Sequence, residues 1–485
     1  MIPLLTVAQM RAAEEALFTT VAPEVVMQRA ARGLSDVCLR LLEAERGQVA
    51  GADVVLLVGT GNNGGDALVA GADLAARGCR VHAVQVGDRI HAEGLHALTR
   101  AGGTCGALDE ADAWMSSCDL VIDGVVGIGG RGAVDPRIIE LLDGDPLTVA
   151  VDIPSGVDAD TGHVTGAAVR ADLTVTFGAV KPGLLLAPEY VGEIEVVDIG
   201  VTIPEEVALA SLEASDVECW VPEPGWSDYK YSRGVVGVAA GSEDYPGAGM
   251  LVAAGARHAN VGMVHVWGTE SDIVQVFPDV VRSAAPPNEC ARVTAWACGS
   301  GVTSRDVVSS VLETRLPVIL DAGALRIMAS DSAIRDAVTA RTDRGITTVL
   351  TPHAGEFTAL FPEIDAADRL HAARDAARRT GAIVVLKGAP TVIADPLGEV
   401  RIDIAGTPAL ACAGSGDVLS GILGGLAAGA QTRGEIVDVD VIAAGVWIHG
   451  VAGQVAAEGG RTVTATDIAA HVADAIAIAR AGMDT

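Results

Sequence analysis

Two α/β domains in series are the fold class this sequence predicts. Three observations carry the reading: 485 residues of which 50% are hydrophobic, an apolar content with only 3% aromatics, and short β-branched runs alternating with Ala-rich stretches. A chain of this length exceeds one ordinary core and suffices for two. Small aliphatic side chains and 58 glycines let helices approach strands closely, which favours layered α/β architecture.

In chain order, MRAAEEALFTT and MQRAARGLSDVCLRLLEAE read as amphipathic helices that pack outside a sheet. From Asp53 the runs VVLLVG, VHAVQVG, LVIDGVVG, LTVAVDIPSG and LTVTFGAV alternate with helical stretches such as ALVAGADLAARG. Such alternation implies parallel strands joined by crossover helices. Near Val201 the pattern gives way to TIPEEVALASLEASDVECWVPEPGWSDYKYSRG, which has prolines, no sustained period and much of the aromatic content. A boundary near Ser215 is expected there, giving domains 1–215 and 216–485. A second α/β series follows, through GVVGVAAGS, MVHVWG, VTAWACGS, PVILDAGAL, TTVLTPHAGEF and AIVVLKGAPTVIA, and it ends in VLSGILGGLAAGA and helices around Trp447 and Ile468. The halves do not repeat each other, so the chain reads as a fusion of unlike modules.

The formal net charge of −30 opposes binding to nucleic acid or anionic lipid, because both depend on Lys and Arg displacing counterions. A small anion is still compatible, held by backbone N–H groups at a helix start. The eight cysteines form no CxxC pair and read as small buried hydrophobes in a reducing compartment. Despite a mean hydropathy of +0.39, each apolar stretch is soon broken, so no membrane span is expected. The opening MIPLLTVAQMRAAEEAL lacks the basic start and apolar centre of a secretory signal, and a cytoplasmic protein is expected.

GTGNNGGDALVAGADLAARG follows a hydrophobic strand and opens a helix, placing Asn62, Asn63, Gly64, Gly65 and Asp66 in the turn between them. Open α/β sheets bind ligands at such ends, and glycine permits close backbone approach. Asp66 equally suits an N-cap. As a phosphate loop the run is weak, lacking the Walker Lys and the dinucleotide spacing. DLVIDGVVGIGGRG puts Asp123 at another strand end, and VAVDIPSGVDADTG does so for Asp152 and Ser155. These side chains also suit plain turn-building, yet three such strand ends tend to converge on one sheet edge.

GNNGGD, IDGVVGIGGRG, and VDIPSGVDADTG followed by TFGAVKPGL resemble the hydrated-nicotinamide epimerase domain, known as the YjeF N-terminal domain, across roughly the whole first domain. The resemblance implies a Rossmann-like fold and inversion between the R and S forms of hydrated NADH or NADPH. It implies substrate contacts from Asn62, Asn63, Gly64, Gly65 and Asp66 and from the loop Gly127, Ile128, Gly129, Gly130, Arg131, Gly132 and Ala133. Asn63, Asp123 and Ser155 are implied to hold a potassium ion, for which oxygen is a suitable ligand. Asp152 is implied to touch substrate, and a carboxylate there suits acid/base work. Ala67 stands where many relatives have another Gly.

In the second half AGSGDVLSGILGGLAAGA puts Gly414, Ser415 and Gly416 in a turn before a helix that begins after Asp417. Its N–H groups would form an anion hole for a transferring phosphoryl group, with Asp417 beside it to take a hydroxyl proton. An N-cap is the ordinary use of such an Asp. KGAPTVIADP follows the strand AIVVL, and TPHAGEF places His353 after another; a solitary His is more often structural. Together KYSRGVVGVAAGSEDYPGA, DAGAL, TPHAGEF, KGAPT and GSGDVLSG resemble the ribokinase-like dehydratase that removes water from the S form of hydrated NADH or NADPH.

That resemblance implies phosphorylation of the hydroxyl by ADP or ATP with magnesium, then loss of phosphate. Ala248, Gly301, His353 and Asp417 are implied to contact the hydrated cofactor, and Lys387, Gly388, Ala389, Pro390, Thr391 and Gly416 the nucleotide. Asp417 is the implied general base. The partners implied are NADHX, NADPHX and ADP or ATP, with further copies of the chain in a homo-oligomer. Gly323, the CGSG run from Cys298, Thr407 and Cys412 depart from the usual pattern, which bears on affinity and nucleotide preference. A small-molecule kinase shares the GSGD motif and is the main rival, told apart by a stable phosphorylated product. A binding or scaffold role is the rival of another class.

Overall fold

The computed structural model describes residues 1–128, 134–144, 146–204, 207–267 and 273–482. The chain forms two compact units, Pro3–Val207, and a larger one made of Met1–Ile2 with Ala208–Thr485. The division falls before Ala208, a few residues ahead of the boundary expected near Ser215. The aperiodic stretch hides two short elements: the strand Leu209–Ser211 pairs with Val400–Asp403, and the helix Ala214–Glu218 packs on Ala465–Arg480. Both belong to the second core, and both are too short to leave a period in the sequence.

The first unit is a seven-stranded parallel sheet. Its spatial order is Thr104–Ala107, Arg80–Gln85, Asp53–Val58, Leu120–Gly124, Thr148–Val151, Leu173–Phe177 and Glu193–Val197. The chain runs outward from Asp53–Val58 in one direction, then returns to start Leu120–Gly124 on its other side. The crevice beyond these two strand ends is therefore the switch point at which such sheets bind ligands. The helices Val7–Phe18 and Pro23–Arg46 appear where the amphipathic patterns put them, the second ending at Gly47 with φ 72°.

The second unit carries an eleven-stranded sheet whose middle is parallel. Val235–Ala239 lies between Met263–Trp267 and Ala295–Cys298, and beyond the latter come Val318–Leu320, Thr348–Leu350 and Ile383–Leu386 in order. Thr391–Ala394 and Val400–Asp403 then continue the sheet antiparallel. The switch point falls between Val235–Ala239 and Ala295–Cys298. Two α/β domains, a parallel sheet of Rossmann-like order and then a larger, mainly parallel sheet, are accordingly the architecture of the chain.

The helix Ser415–Arg433 has 19 residues and is buried all round from Val418 to Ala430, as suits an apolar helix at the centre of a core. It crosses the helix Pro246–His258 at very short range. A Cβ on Gly255 would lie 2.3 Å from the Val418 carbonyl oxygen, and one on Gly421 would lie 2.0 Å from that of Val252. Gly421→Ala is expected to lower the unfolding free energy of this unit by about 1–3 kcal/mol through overpacking. Urea melts check this; a change within about 0.5 kcal/mol would mean that the helices can part without cost.

One expectation fails in its detail. Val439–Gly460 is long and apolar enough to cross a membrane by length and composition, although no such stretch was evident from the sequence. With 83% of its apolar window buried inside the unit, it is a core helix. The cysteines are all free; Cys38, Cys79 and Cys298 are buried, but Cys105 and Cys219 are exposed, so the buried reading fits only part of the set.

Candidate functional site

The first unit has a cavity of about 770 Å³ at its switch point, with Asn62, Asn63, Asp66, Gly127, Ile128 and Asp152 on its wall. Residues 62–66 do not form a turn. They are the opening of the helix Asn62–Ala76, whose N-cap is Gly61, so Asp66 occupies the fifth helical position and caps nothing. Gly64 and Gly65 stand behind the wall: a Cβ on Gly64 would fall 2.3 Å from the Gly59 carbonyl oxygen, so glycine lets the helix start against the strand end. Gly129, Gly130, Arg131, Gly132 and Ala133 lie outside the described residues.

Asp152 sits just past Thr148–Val151 at φ 67°, a strained setting for a residue with a side chain. Its carboxylate accepts hydrogen bonds from Lys181 Nζ at 2.6 Å and Thr176 Oγ1 at 3.0 Å. Lys181, only 1% exposed, also donates to Thr176 Oγ1 and to the Phe177 carbonyl oxygen. Lys181 and Glu14 line the same cavity, and sequence reasoning assigned neither. The signal for Lys181 was a lone cation in the apolar turn TFGAVKPGL; Glu14 had none, because an acid on an amphipathic helix reads as surface. Burial, then the nearby Asp152 charge, raises the Glu14 carboxyl above its ordinary range.

Asp123 is fully buried at the end of Leu120–Gly124. It accepts hydrogen bonds from the Ser155 hydroxyl at 2.6 Å and the Ser155 N–H at 2.8 Å. Burial pushes its carboxyl up, against those bonds. Asn63 donates its Nδ2 to the Val151 carbonyl oxygen, which leaves Oδ1 as its free acceptor, and a Cβ on Gly127 would fall 2.4 Å from that atom.

The second unit has a cavity of about 530 Å³ at the carboxyl ends of its parallel strands. His353, Lys387, Gly388, Ala389, Thr391, Gly416 and Asp417 line it. The helix begins at Ser415, earlier than expected, after Gly414 at φ 88°; Asp417 is in its first turn and is not the cap. Anionic groups are favoured there by the helix dipole. Lys387 stands at the mouth of that turn: a Cβ on Gly416 would lie 3.3 Å from its Nζ. Asp321 holds the ammonium at 2.7 Å while accepting from Thr351 Oγ1 and Ser420 Oγ, each at 2.8 Å. Sequence reasoning passed over Asp321, although it opens DAGAL at a strand end.

Asp417 is half-buried, and desolvation raises its carboxyl above the ordinary range, helped by the charges of Asp321 and Glu356. Lys387 and the neighbouring Ser300 hydroxyl act the other way; Ser300 Oγ is itself buried without a partner in hydrogen-bonding geometry. His353 is an N-cap as well as a wall residue: its Nδ1 accepts from the N–H groups of Gly355 and Glu356 at 3.0 and 3.2 Å. Pro390 is not on the wall, and its carbonyl is held from behind by Arg369, which also binds that of Leu386. Ala248 and Gly301 meet each other at the switch point, with 3.1 Å between the Ala248 Cβ and one built on Gly301, and are not on this cavity's wall. Thr407 and Cys412 are on the wall, whereas Gly323 is behind it, where a Cβ would fall 2.0 Å from the Val302 carbonyl oxygen.

One unit that buries several carboxyl groups around a cavity, and another that aims a lysine and a carboxylate at a glycine-opened helix start, define a two-module α/β enzyme. A family model described as YjeF-related protein N-terminus matches residues 23–183, and one described as NAD(P)H-hydrate dehydratase matches residues 236–474. The chain belongs to the family of bifunctional NAD(P)H-hydrate repair enzymes. It is 43% identical to the enzyme of that name from Mycobacterium leprae, over 87% of this chain and 88% of the relative. The Mycobacterium tuberculosis enzyme is 42% identical over 89% and 90%, and that of Thermosynechococcus vestitus 33% over 92% and 91%. Among solved structures, the ADP/ATP-dependent NAD(P)H-hydrate dehydratase from Bacillus subtilis, co-crystallized with ATP/Mg2+, is 26% identical. It covers 55% of this chain and 97% of its own, with a TM-score of 0.46.

Proposed function

We propose that the first unit interconverts the R and S forms of hydrated NADH and NADPH, and that the second removes water from the S form at the expense of ADP or ATP. The observation that carries the second half is the meeting of Asp417, Gly416 and Lys387 at one helix start. Hydroxide is a poor leaving group, and a phosphate ester supplies a better one. Asp417 takes the proton of the substrate hydroxyl as that oxygen attacks the terminal phosphorus. Lys387, steadied by Asp321, and the N–H groups of the first helical turn balance the charge on the transferred group. Loss of phosphate, together with a proton from the adjacent ring carbon that passes to solvent, then restores the ring double bond. Glu356 and Asp417 offer hard oxygen on the same wall, which fits a magnesium ion carried in on nucleotide oxygens; bound there, it neutralises phosphate charge.

In the first unit Asp152 exchanges protons with the hydrated ring, and the opening of the helix at Asn62 gives its N–H groups to an anionic part of the substrate. Asn63, Asp123 and Ser155 are the residues that would hold potassium. The donor set fits: every atom offered is oxygen, and Asp123 is a buried carboxyl with no ion-pair partner among the described residues. Such an ion would supply positive charge beside the Asp123 carboxyl. Eight free cysteines suit a reducing, cytoplasmic setting.

The test is a mixture of R and S hydrated NADH with purified protein and either nucleotide. Complete recovery of the dihydronicotinamide absorbance with release of phosphate is expected. Recovery of the S portion alone beyond the spontaneous rate would refute the epimerase half, and a stable phosphorylated product would refute the dehydratase half.

A further inference from the structure

The first cavity holds a carboxyl group that neither turn-building nor capping uses. Asp66 lines it at 6% exposure, and its Oδ1 is buried without a hydrogen-bond partner. A carboxylate in that position would have one oxygen with no donor to stabilise it. The charged groups around it also oppose ionisation. Glu14, from the helix Val7–Phe18, and Asp152, beyond Thr148–Val151, face the same space and are both acidic. Of the cations there, Lys181 is committed to Asp152, and Arg11 is exposed at the rim. His91 lies over Gly65 with its Nδ1 accepting from the Gly94 N–H. Asp66 accordingly keeps its proton, its carboxyl pushed up to about 8 by burial first and then by Asp152 and Glu14. Asp152 is the member with a cation beside it, Lys181 Nζ at 2.6 Å. One cavity thus contains an acid and a base made from the same functional group, the arrangement that splits two carboxyls into two roles.

We propose that Asp66 is the proton donor of the first cavity and that Asp152 is its complementary acceptor, an inference that rests on the epimerase reading. Hydration of an enamine puts the hydroxyl on the carbon next to the ring nitrogen, so inversion there can proceed by breaking that carbon–oxygen bond. Asp66 gives its proton to the hydroxyl, which departs as water while the nitrogen lone pair closes a carbon–nitrogen double bond. A water adds to the opposite face, its oxygen forming the new bond as the double-bond electrons return to nitrogen, and Asp152 takes its proton. One water leaves and one enters; one proton is given and one received. Asp152 then gives its proton to solvent and Asp66 regains one, which closes the cycle; the opposite conversion runs the same steps in reverse.

The experiment uses the full chain and purified R-form hydrated NADH, with S-form production followed from about pH 6 to 10. Wild-type turnover is expected to fall above a pH of about 8, as Asp66 loses its proton. Asp66→Asn is expected to lower kcat by roughly 10²-fold or more with little change in KM. Asp66→Glu is expected to keep a slower rate that still falls on the alkaline side. Hydrogen exchange at the strand Asp53–Val58 reports whether each variant is folded; should the Asn variant unfold, the Glu variant decides. A kcat for the Asn variant within about threefold of wild type, a loss through KM alone, or an absent alkaline fall would overturn the proposal. Wild-type protein without any interconversion would instead overturn the epimerase reading, a result visible before any variant is made.

Discussion

Asp417→Asn is expected to reduce dehydration by roughly 10²–10⁴-fold while R and S interconversion in the same preparation continues unchanged. The amide keeps the size and most of the packing of the carboxyl but cannot accept the hydroxyl proton. Nothing nearby replaces it: Asp321 is 2% exposed and occupied by Lys387, Thr351 and Ser420, and Glu356 hydrogen-bonds the N–H of His353. The loss should be in kcat, with nucleotide affinity largely kept or improved, because removing a negative charge beside the anion hole eases phosphate binding. The pH dependence follows from the same surroundings. A base works only when deprotonated, and burial with two acidic neighbours holds this carboxyl above the ordinary range. Dehydration should therefore fail on the acid side at a higher pH than a solvent-exposed aspartate would impose. Steady-state rates across pH, with both activities followed in one sample, check these outcomes; a loss confined to KM would remove Asp417 from the proton transfer.

The central strands and their order of appearance were legible because their runs are β-branched and buried on both faces, as central parallel strands must be, whereas the partly exposed edge strands Thr104–Ala107 and Glu193–Val197 left no such run. The ends of those strands were legible for the same reason, which is why Asp123, Asp152, His353 and Lys387 could be picked out as residues that leave a strand toward the ligand edge. What could not be read was how the chain continues from those ends. Residues 62–66 look like a turn because Asn and Gly favour turns, yet tertiary packing against Gly59 draws them into a helix. The earlier start of the helix at Ser415 has a similar origin, with Gly414 supplying the left-handed residue that lets the helix begin. Companions drawn from distant segments were illegible for another reason. Glu14 and Asp321 are ordinary acids until the fold places one beside Asp152 and the other under Lys387. No spacing in one sequence reports such meetings.

The Asp152–Lys181 pair provides the largest expected effect on stability. Lys181→Met keeps the length of the side chain and its apolar fit, so any loss comes from charge. Asp152 would then be a buried carboxylate with only the Thr176 hydroxyl and the more distant Phe177 N–H as donors, at an already strained backbone position. Breaking a buried ion pair by removing one partner costs about 3–5 kcal/mol, a large share of a domain's margin. Replacing both partners leaves no uncompensated charge, so Lys181→Met combined with Asp152→Asn should be markedly more stable than Lys181→Met alone, although inactive as an epimerase. Hydrogen exchange at Thr148–Val151 and Leu173–Phe177 reads the first unit directly, without interference from unfolding of the second. Four proteins, wild type, the two single variants and the double, close a cycle. If Lys181→Met costs less than about 1 kcal/mol, the pair is behaving as an exposed one and not as a buried one.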